Sequence, residues 1–187
     1  MKRPLLAAAL ALLIGAPTLA GPPVIVDLSV NQQGDDYLAS GRLVDGLSAA
    51  MLDEIDAGIE TTLDYRLQLL RRRSGLPDDV LARRLLECTV RHDALTRQYT
   101  LTSRLDGEMV ETRVTGDAVE MRAFLTTLRA VPLVRASDLV PGEEYYLRVR
   151  GDLGLVWRFF LIPWRLNTEW ARAEVIGPGK DARHDHP

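Results

Sequence analysis

The sequence predicts an α+β fold, in which an antiparallel, sandwich-like β-sheet of about seven strands is covered by two amphipathic helices. Most segments alternate between apolar and polar residues, as half-buried strands do. Tight turns join consecutive segments of this kind, so their strands must pair antiparallel. Only two segments carry apolar residues at three- and four-residue spacing, and neither belongs to a strand–helix–strand repeat.

The pattern of residues 24–71 predicts a hairpin, a helix and a long strand. The hairpin pairs residues 24–30 with residues 37–43 around a Gly34-Asp35-Asp36 turn. The helix follows, and Gly58 is expected to end it. Residues 61–71 then form the clearest strand. The residues expected to face the core are Val24, Val26, Leu28 and Val30 in the hairpin, and Leu47, Met51, Leu52, Ile55 and Ile59 in the helix.

The pattern from residue 77 onward predicts a three-stranded meander, a second helix and further strands. Pro77-Asp78-Asp79 suits a short helical turn, and residues 83–115 form the meander with a tight Asp106-Gly107 turn. Asp117 is a candidate N-cap whose capping box Glu120 would complete. The second helix is expected to bury Met121, Phe124, Leu125 and Leu128 and to end before Pro132, and residues 145–150 form the last clear strand.

The first 20 residues have the layout of an export signal. Lys2 and Arg3 precede an uncharged stretch, and Thr18-Leu19-Ala20 offers small residues for cleavage after Ala20. The alternative is an uncleaved anchor, but Pro17 interrupts an apolar run already short for a membrane span. We therefore expect a periplasmic protein with no stable membrane span, a single α+β domain at residues 21–176 and a disordered tail at residues 177–187.

Charge and cysteine content narrow the classes of function. Cleavage would remove Lys2 and Arg3 and change the formal net charge from −3 to −5, which argues against nucleic acid as a partner. Cys88 is the single cysteine, so the chain has no internal disulfide. Because Leu86, Cys88 and Val90 share one face of an alternating segment, a buried thiol is favoured over a reactive one.

Residues able to do chemistry occur without a catalytic or metal-binding pattern. His184 and His186 lie in the tail, and His92 precedes Asp93 in a predicted turn, so we expect no metal site and no cofactor. No nucleophile elbow or phosphate-binding loop is present in the sequence. Arg71-Arg72-Arg73 is interpreted as a solvated strand end. The chain is therefore expected not to be an enzyme.

One segment has an unusual composition. Residues 155–170 hold all three tryptophans and two of the three phenylalanines, together with arginines. This mixture is typical of protein interfaces and also suits a membrane–water boundary. Packing in the core is favoured for Trp157 and Phe159, whereas Trp164 and Trp170 fit core packing and exposure equally. Trp164, Arg165 and Trp170 are the candidate partner-binding residues.

Two segments connect the chain to a known family. LSAAMLDEIDAGIETTLDYRLQLLRRR (residues 47–73) and RHDALTRQYTL (residues 91–101) resemble the bacterial DUF4390 family of exported proteins of unknown function. The resemblance extends over nearly all of the mature chain. It implies a one-domain envelope protein whose genes neighbour those of a membrane sensor kinase, and hence a signalling accessory. It supplies no catalytic residues.

Three functions remain open from the sequence. The first is a non-enzymatic periplasmic accessory that binds an envelope or membrane protein through the Trp164–Trp170 region. The second is a domain that binds a small molecule or lipid in a pocket between helix and sheet, lined by Tyr65, Leu67 and Phe124. The third is a hydrolase that brings turn carboxylates together, for which the candidates are Asp78, Asp79, Glu143 and Glu144.

Overall fold

The computed structural model describes the backbone of residues 21–158 and 162–178 and the side chains of residues 21–154 and 166–178. Two antiparallel sheets and two helices confirm the predicted α+β, sandwich-like fold. The elements in chain order are β1 (Val24–Gln33), β2 (Asp36–Val44), α1 (Ala49–Asp56), β3 (Thr61–Arg71), β4 (Asp79–Asp93), β5 (Gln98–Leu105), β6 (Glu108–Thr115), α2 (Ala118–Thr126), β7 (Thr127–Arg135), β8 (Tyr145–Arg158), β9 (Ile162–Asn167) and β10 (Ala171–Val175).

The strands divide between a small and a large sheet. The small sheet has the order β1-β2-β7, and the large sheet has the order β10-β8-β3-β4-β5-β6 with β9 also paired to β8. Strand β10 pairs with residues 145–149 of β8 and β9 with residues 152–158, while β3 occupies the opposite edge of β8. Therefore β9 and β10 lie one after the other along the same edge of β8.

The core lies where the inner faces of the two sheets and the helices meet. Tyr65 in β3 is almost completely buried, and its hydroxyl donates to the Leu125 carbonyl oxygen of α2 at 2.6 Å. Helix α1 contributes Met51 and Ile55 to the same core, and the meander contributes Cys88. Burial of these apolar side chains is the main favourable contribution to folding.

The first strand shows why a strict alternation was the wrong expectation for residues 24–30. Asp27 has a φ of 53°, and the β1–β2 register shifts between Val26 and Ser29. This bulge exchanges the faces of the flanking residues. As a result Ile25 is buried, whereas Val24, expected to face the core, is 38% exposed.

Both helices are shorter than the sequence predicts. Helix α1 ends at Asp56, and Gly58 then turns the chain with a φ of 86°, which leaves Ile59 54% exposed. Helix α2 ends at Thr126, and the chain continues directly into β7. Leu128 is buried as expected, but from a strand.

Three local expectations are wrong for identifiable reasons. Pro132 does not stop a helix but lies inside β7, at the edge of the small sheet, where a proline is tolerated. Asp79 begins β4 instead of a helical turn. Asp117 caps α2 by accepting from Val119 N at 2.7 Å, yet Glu120 pairs with Arg113 at 2.6 Å instead of completing the capping box.

The C-terminal end of the domain stays packed one residue beyond its predicted limit at residue 176. Gly177, placed in the predicted tail, is buried, and a Cβ there would lie 3.1 Å from Tyr145 Cδ2. The export signal at residues 1–20 and the tail histidines His184 and His186 lie outside the described residues. Among the described helices, neither has the length and apolar character that crossing a membrane would require.

Candidate functional site

The aromatic segment identified in the sequence forms a β-ribbon that extends beyond the large sheet. Pairing between β3 and β8 ends at Asp64 and Asp152. Beyond that pair, among the described residues, β8 is paired only with β9. The register places Leu155 opposite Arg165, Val156 opposite Trp164 and Trp157 opposite Pro163. We call residues 153–158 and 162–167 the ribbon.

A bulge and a corner fix the base of the ribbon. Gly154 has a φ of 82° at the register shift between Asp152 and Leu155, and its N–H donates to Asp152 Oδ1 at 3.2 Å. A glycine adopts this backbone conformation without steric strain. Bulges bend the strand that carries them, so this one sets the direction in which the ribbon leaves the sheet.

The corner between β9 and β10 is held by Thr168, which is 3% exposed. Its N–H donates to the Gly151 carbonyl oxygen, and its hydroxyl accepts from Gly151 N and donates to the Glu169 carbonyl oxygen, all at 2.9 Å. A Cβ at position 151 would lie 3.3 Å from Thr168 Cγ2, so a glycine permits this close approach. The base of the ribbon is therefore a joint held by three hydrogen bonds of Thr168.

A polar groove of about 220 Å³ lies beside this joint. Trp170 lines it, and the Arg148 guanidinium lies over the Trp170 indole at 4.7 Å from the ring centroid. Arg66 and Arg150 face each other across β3 and β8 in the same groove. Asp152 approaches Arg66 at 3.9 Å. Two guanidinium groups with one nearby carboxylate make the groove suitable for an anionic group.

The three predicted partner-binding residues belong to one end of the large sheet. Trp164 and Arg165 lie in β9, in register with Val156 and Leu155. Trp170 is half-buried at the base of the ribbon. The expected core packing of Trp157 and Phe159 concerns side chains outside the described residues. Arg66 and Arg150 were not predicted as site residues, because alternation identifies their polar face but not the register that joins them.

Comparison with known proteins identifies the family. The family model described as "Domain of unknown function (DUF4390)" matches residues 21–173, which is most of the chain. The chain belongs to the DUF4390 family. This confirms the family suggested by residues 47–73 and 91–101. Searches of curated proteins and of solved structures gave no match.

In this DUF4390 protein the candidate hydrolase carboxylates are engaged by the arginine run. Arg71 and Arg73 lie 2.7 and 3.0 Å from the Asp79 carboxylate, so the run is not a freely solvated strand end. The hydrogen bond from Arg71 lowers the pKa of Asp79. A hydrogen bond of 2.7 Å from the Tyr146 hydroxyl lowers the pKa of Asp78. General acids need a raised pKa, so this arrangement favours an ion-pair network over proton transfer.

The other two candidate acids belong to the same end of β3. Arg72 lies 3.8 Å from Glu144 Oε2 and 2.5 Å from Glu174 Oε1, and its backbone N–H donates to the Glu144 carbonyl oxygen at 2.8 Å. Glu143 follows the same turn and precedes Glu144 directly. Of the carboxylates named from the sequence, Asp79 and Glu144 are therefore paired with arginines of the run.

The remaining reactive side chains have structural surroundings. Cys88 is buried, as predicted, and burial raises the pKa of its thiol to about 12. His92 lies at the end of β4 and not in a turn; its Nδ1 is 3.0 Å from the Asp56 carbonyl oxygen and its ring stacks on Tyr99. The described residues contain no group of three or more side chains suited to hold a metal ion.

The cavity near α2 is lined by residues other than most of those predicted for the pocket between helix and sheet. Tyr65 and Leu67 are each 1% exposed and belong to the packed core. Phe124 is the one predicted lining residue that borders a cavity, of about 120 Å³, between β6 and β7. The pocket therefore lies nearer the sheet edge than the sequence suggested.

Proposed function

We propose that this DUF4390 protein is an exported, non-enzymatic accessory of the bacterial envelope, which docks onto a partner protein through the ribbon and the groove at its base. Export to the periplasm is supported by the charged, apolar and small-residue sequence of residues 1–20. The family resemblance suggests a membrane sensor kinase as one candidate partner. The ribbon and the groove supply the docking surface of this proposal.

The observation that carries this proposal is an apolar sequence on a two-stranded ribbon. Leu155, Val156 and Trp157 are consecutive in β8 and pair with Arg165, Trp164 and Pro163 of β9, so apolar residues occupy successive positions along the ribbon. A two-stranded ribbon without further packing is marginally stable in water. A partner surface that covers such a ribbon would bury apolar area and stabilise it.

The positive charge of the groove favours a partner that carries an acidic side chain. Because Arg66 and Arg150 are directly opposite each other, an acidic side chain of the partner would relieve their repulsion. Arginine and tryptophan side chains contribute strongly at protein interfaces. The expected partner surface therefore combines an apolar patch with a carboxylate at its border.

In-cell crosslinking of the tagged protein, followed by mass spectrometry, tests this proposal. The informative variants are Trp164→Ala with Trp170→Ala, and separately Arg150→Gln. Leu95→Ala and Arg91→Gln are the matched controls, since Leu95 is 95% exposed and Arg91 is exposed on β4. We expect one envelope protein that is captured by the wild type and both controls and lost in the double variant. Arg150→Gln should weaken its capture.

Two results would contradict docking. The first is equal capture by the wild type and the tryptophan double variant when both are folded by near-UV circular dichroism. The second is the absence of any enriched envelope protein with the folded wild type. Unfolding of the double variant would show that the tryptophans are core residues, and Arg150→Gln would then decide whether the groove takes part.

A further inference from the structure

The cavity between β6 and β7 lies where both strands depart from regular pairing. Between Ser103 and Arg104 of β5 the β5–β6 register shifts, and Val110 is the extra residue in β6. In β7 Arg129 and Ala130 together oppose Ser40 of β2. Both bulges border the cavity, which therefore opens between the β6 edge of the large sheet and the β7 edge of the small sheet.

The bulge in β7 contains backbone strain. Ala130 has a φ of 47°, a left-handed conformation that is unfavourable for a residue with a side chain. Its N–H donates to Ser40 Oγ at 3.2 Å, which anchors the bulge. The consequence is that Arg129 and Ala130 are both exposed, while Val131 returns to the core. Strained positions of this kind are found preferentially at binding sites.

The interior of the cavity is apolar and its rim is charged. Five side chains that are each at most 8% exposed border it: Leu86, Cys88, Ser103, Phe124 and Val131. The rim carries two arginines and one glutamate. Arg113 is engaged with Glu120 at 2.6 Å, and its Nε is 3.4 Å from Glu111 Oε1 without hydrogen-bond geometry. Within the described part of the chain, Arg129 has no ion-pair partner.

From these features we infer that the cavity binds a compact apolar carboxylate, whose apolar body enters the cavity and whose carboxylate pairs with Arg129. An apolar protein cavity of about 150 Å³ accommodates benzene. The 120 Å³ of this cavity therefore suits a single ring or a short branched chain. The interior contributes apolar contact, and a single guanidinium at the mouth fixes the orientation of the ligand.

This site is separate from the ribbon and does not depend on docking to a partner. It gives the small-molecule alternative a definite location, since Tyr65 and Leu67 are replaced as lining residues by Cys88, Val131 and the rim arginines. Loss of one activity would leave the other unchanged.

An NMR titration of the chain from Gly21 to Pro187 with benzoate and with hexanoate tests the inference. Benzyl alcohol and hexanol are the uncharged counterparts. Saturable shifts are expected for the amide signals of Cys88, Ser103 and Arg129, with affinities in the millimolar range for probes of this size. The carboxylates should bind more tightly than the alcohols.

Two variants and one control separate the contributions. Arg129→Gln should weaken carboxylate binding about tenfold, as loss of a hydrogen bond to a charged group predicts, and leave alcohol binding unchanged. Ser103→Leu should fill the cavity and abolish both. Arg91→Gln, on an exposed arginine away from the cavity, should match the wild type.

Several results would overturn the inference. One is the absence of saturable cavity shifts with either carboxylate. Another is equal binding of carboxylates and alcohols, and a third is equal effects of Arg129→Gln and Arg91→Gln. If Ser103→Leu does not fold, the exposed Arg129→Gln variant still decides, because it alters no core contact.

Discussion

At the scale of single residues, Thr168 is the polar side chain on which the base of the ribbon depends. In Thr168→Val the buried Gly151 N–H loses its acceptor. Leaving a buried donor unpaired costs about 1–3 kcal/mol of unfolding free energy, which urea denaturation can measure. Thr100→Val, at a half-buried position of β5, should change stability by at most about 0.5 kcal/mol. Equal effects of the two substitutions would show that the corner is held by the backbone alone.

A second prediction at the scale of residues concerns the Cys88 thiol and the pH dependence of folding stability. Its pKa is raised from 9.0 to about 12 in the folded protein, so the unfolded chain loses its proton first as pH rises. The thiol's contribution to stability is complete below about pH 9 and is lost between about pH 9 and 12. Over that window wild-type stability should fall more steeply than that of Cys88→Val, by up to about 1.4 kcal/mol per pH unit. Parallel urea midpoints from pH 8 to 10 would contradict this.

Single residues also mark where sequence analysis succeeds and fails. The shared face of Leu86, Cys88 and Val90 was predictable because an unbroken strand keeps its period of two. The faces of β1 and β7 were not, because Asp27 and Ala130 adopt a positive φ without being glycine. Such bulges are stabilised by partners distant in sequence, as in the bond from Ala130 N to Ser40 Oγ.

At the scale of elements, the ribbon should be separable from the fold. Beyond Asp152 no described strand other than β9 pairs with β8. We therefore expect the chain to fold with residues 155–165 replaced by Asn-Gly, a dipeptide suited to a two-residue hairpin turn. Near-UV circular dichroism and the urea midpoint should stay close to the wild type, while partner capture is lost. A molten or aggregated product would show that the replaced residues contribute to the core.

The candidate site was predictable in composition but not in geometry. The aromatic content of residues 155–170 identified Trp164, Arg165 and Trp170 as unusual. Placing Arg66 and Arg150 beside Trp170 requires the pairing of β3 with β8, which lie far apart in the sequence. Long-range pairing also explains why β7 was not predicted. The local spacing of apolar residues extends α2 to Leu128, whereas pairing with β2 places residues 127–135 in a strand.

At the scale of the whole molecule, two side-chain hydrogen bonds at the part-buried margins of the core link the small sheet to the large one. Arg84 Nε on β4 donates to the Leu133 carbonyl oxygen of β7 at 3.1 Å. The Tyr37 hydroxyl on β2 donates to the Ile176 carbonyl oxygen beyond β10 at 3.0 Å. Both bonds use a backbone carbonyl as acceptor. The relative position of the sheets is therefore fixed by hydrogen bonds to the backbone as well as by side-chain packing.

Tyr65 makes a buried hydrogen bond between the large sheet and α2, and this bond leads to a prediction on cooperativity. In Tyr65→Phe the Leu125 carbonyl oxygen loses a 2.6 Å donor, and the unfolding free energy should fall by about 1–3 kcal/mol. Tyr146→Phe removes a hydroxyl that bonds the Asp78 carboxylate at the part-buried margin of the sheet, so its cost should be smaller. Urea unfolding followed by both far-UV and near-UV circular dichroism should give one coincident transition for each variant. Separate transitions in Tyr65→Phe would show instead that the large sheet and α2 unfold as independent units, joined mainly by this one bond.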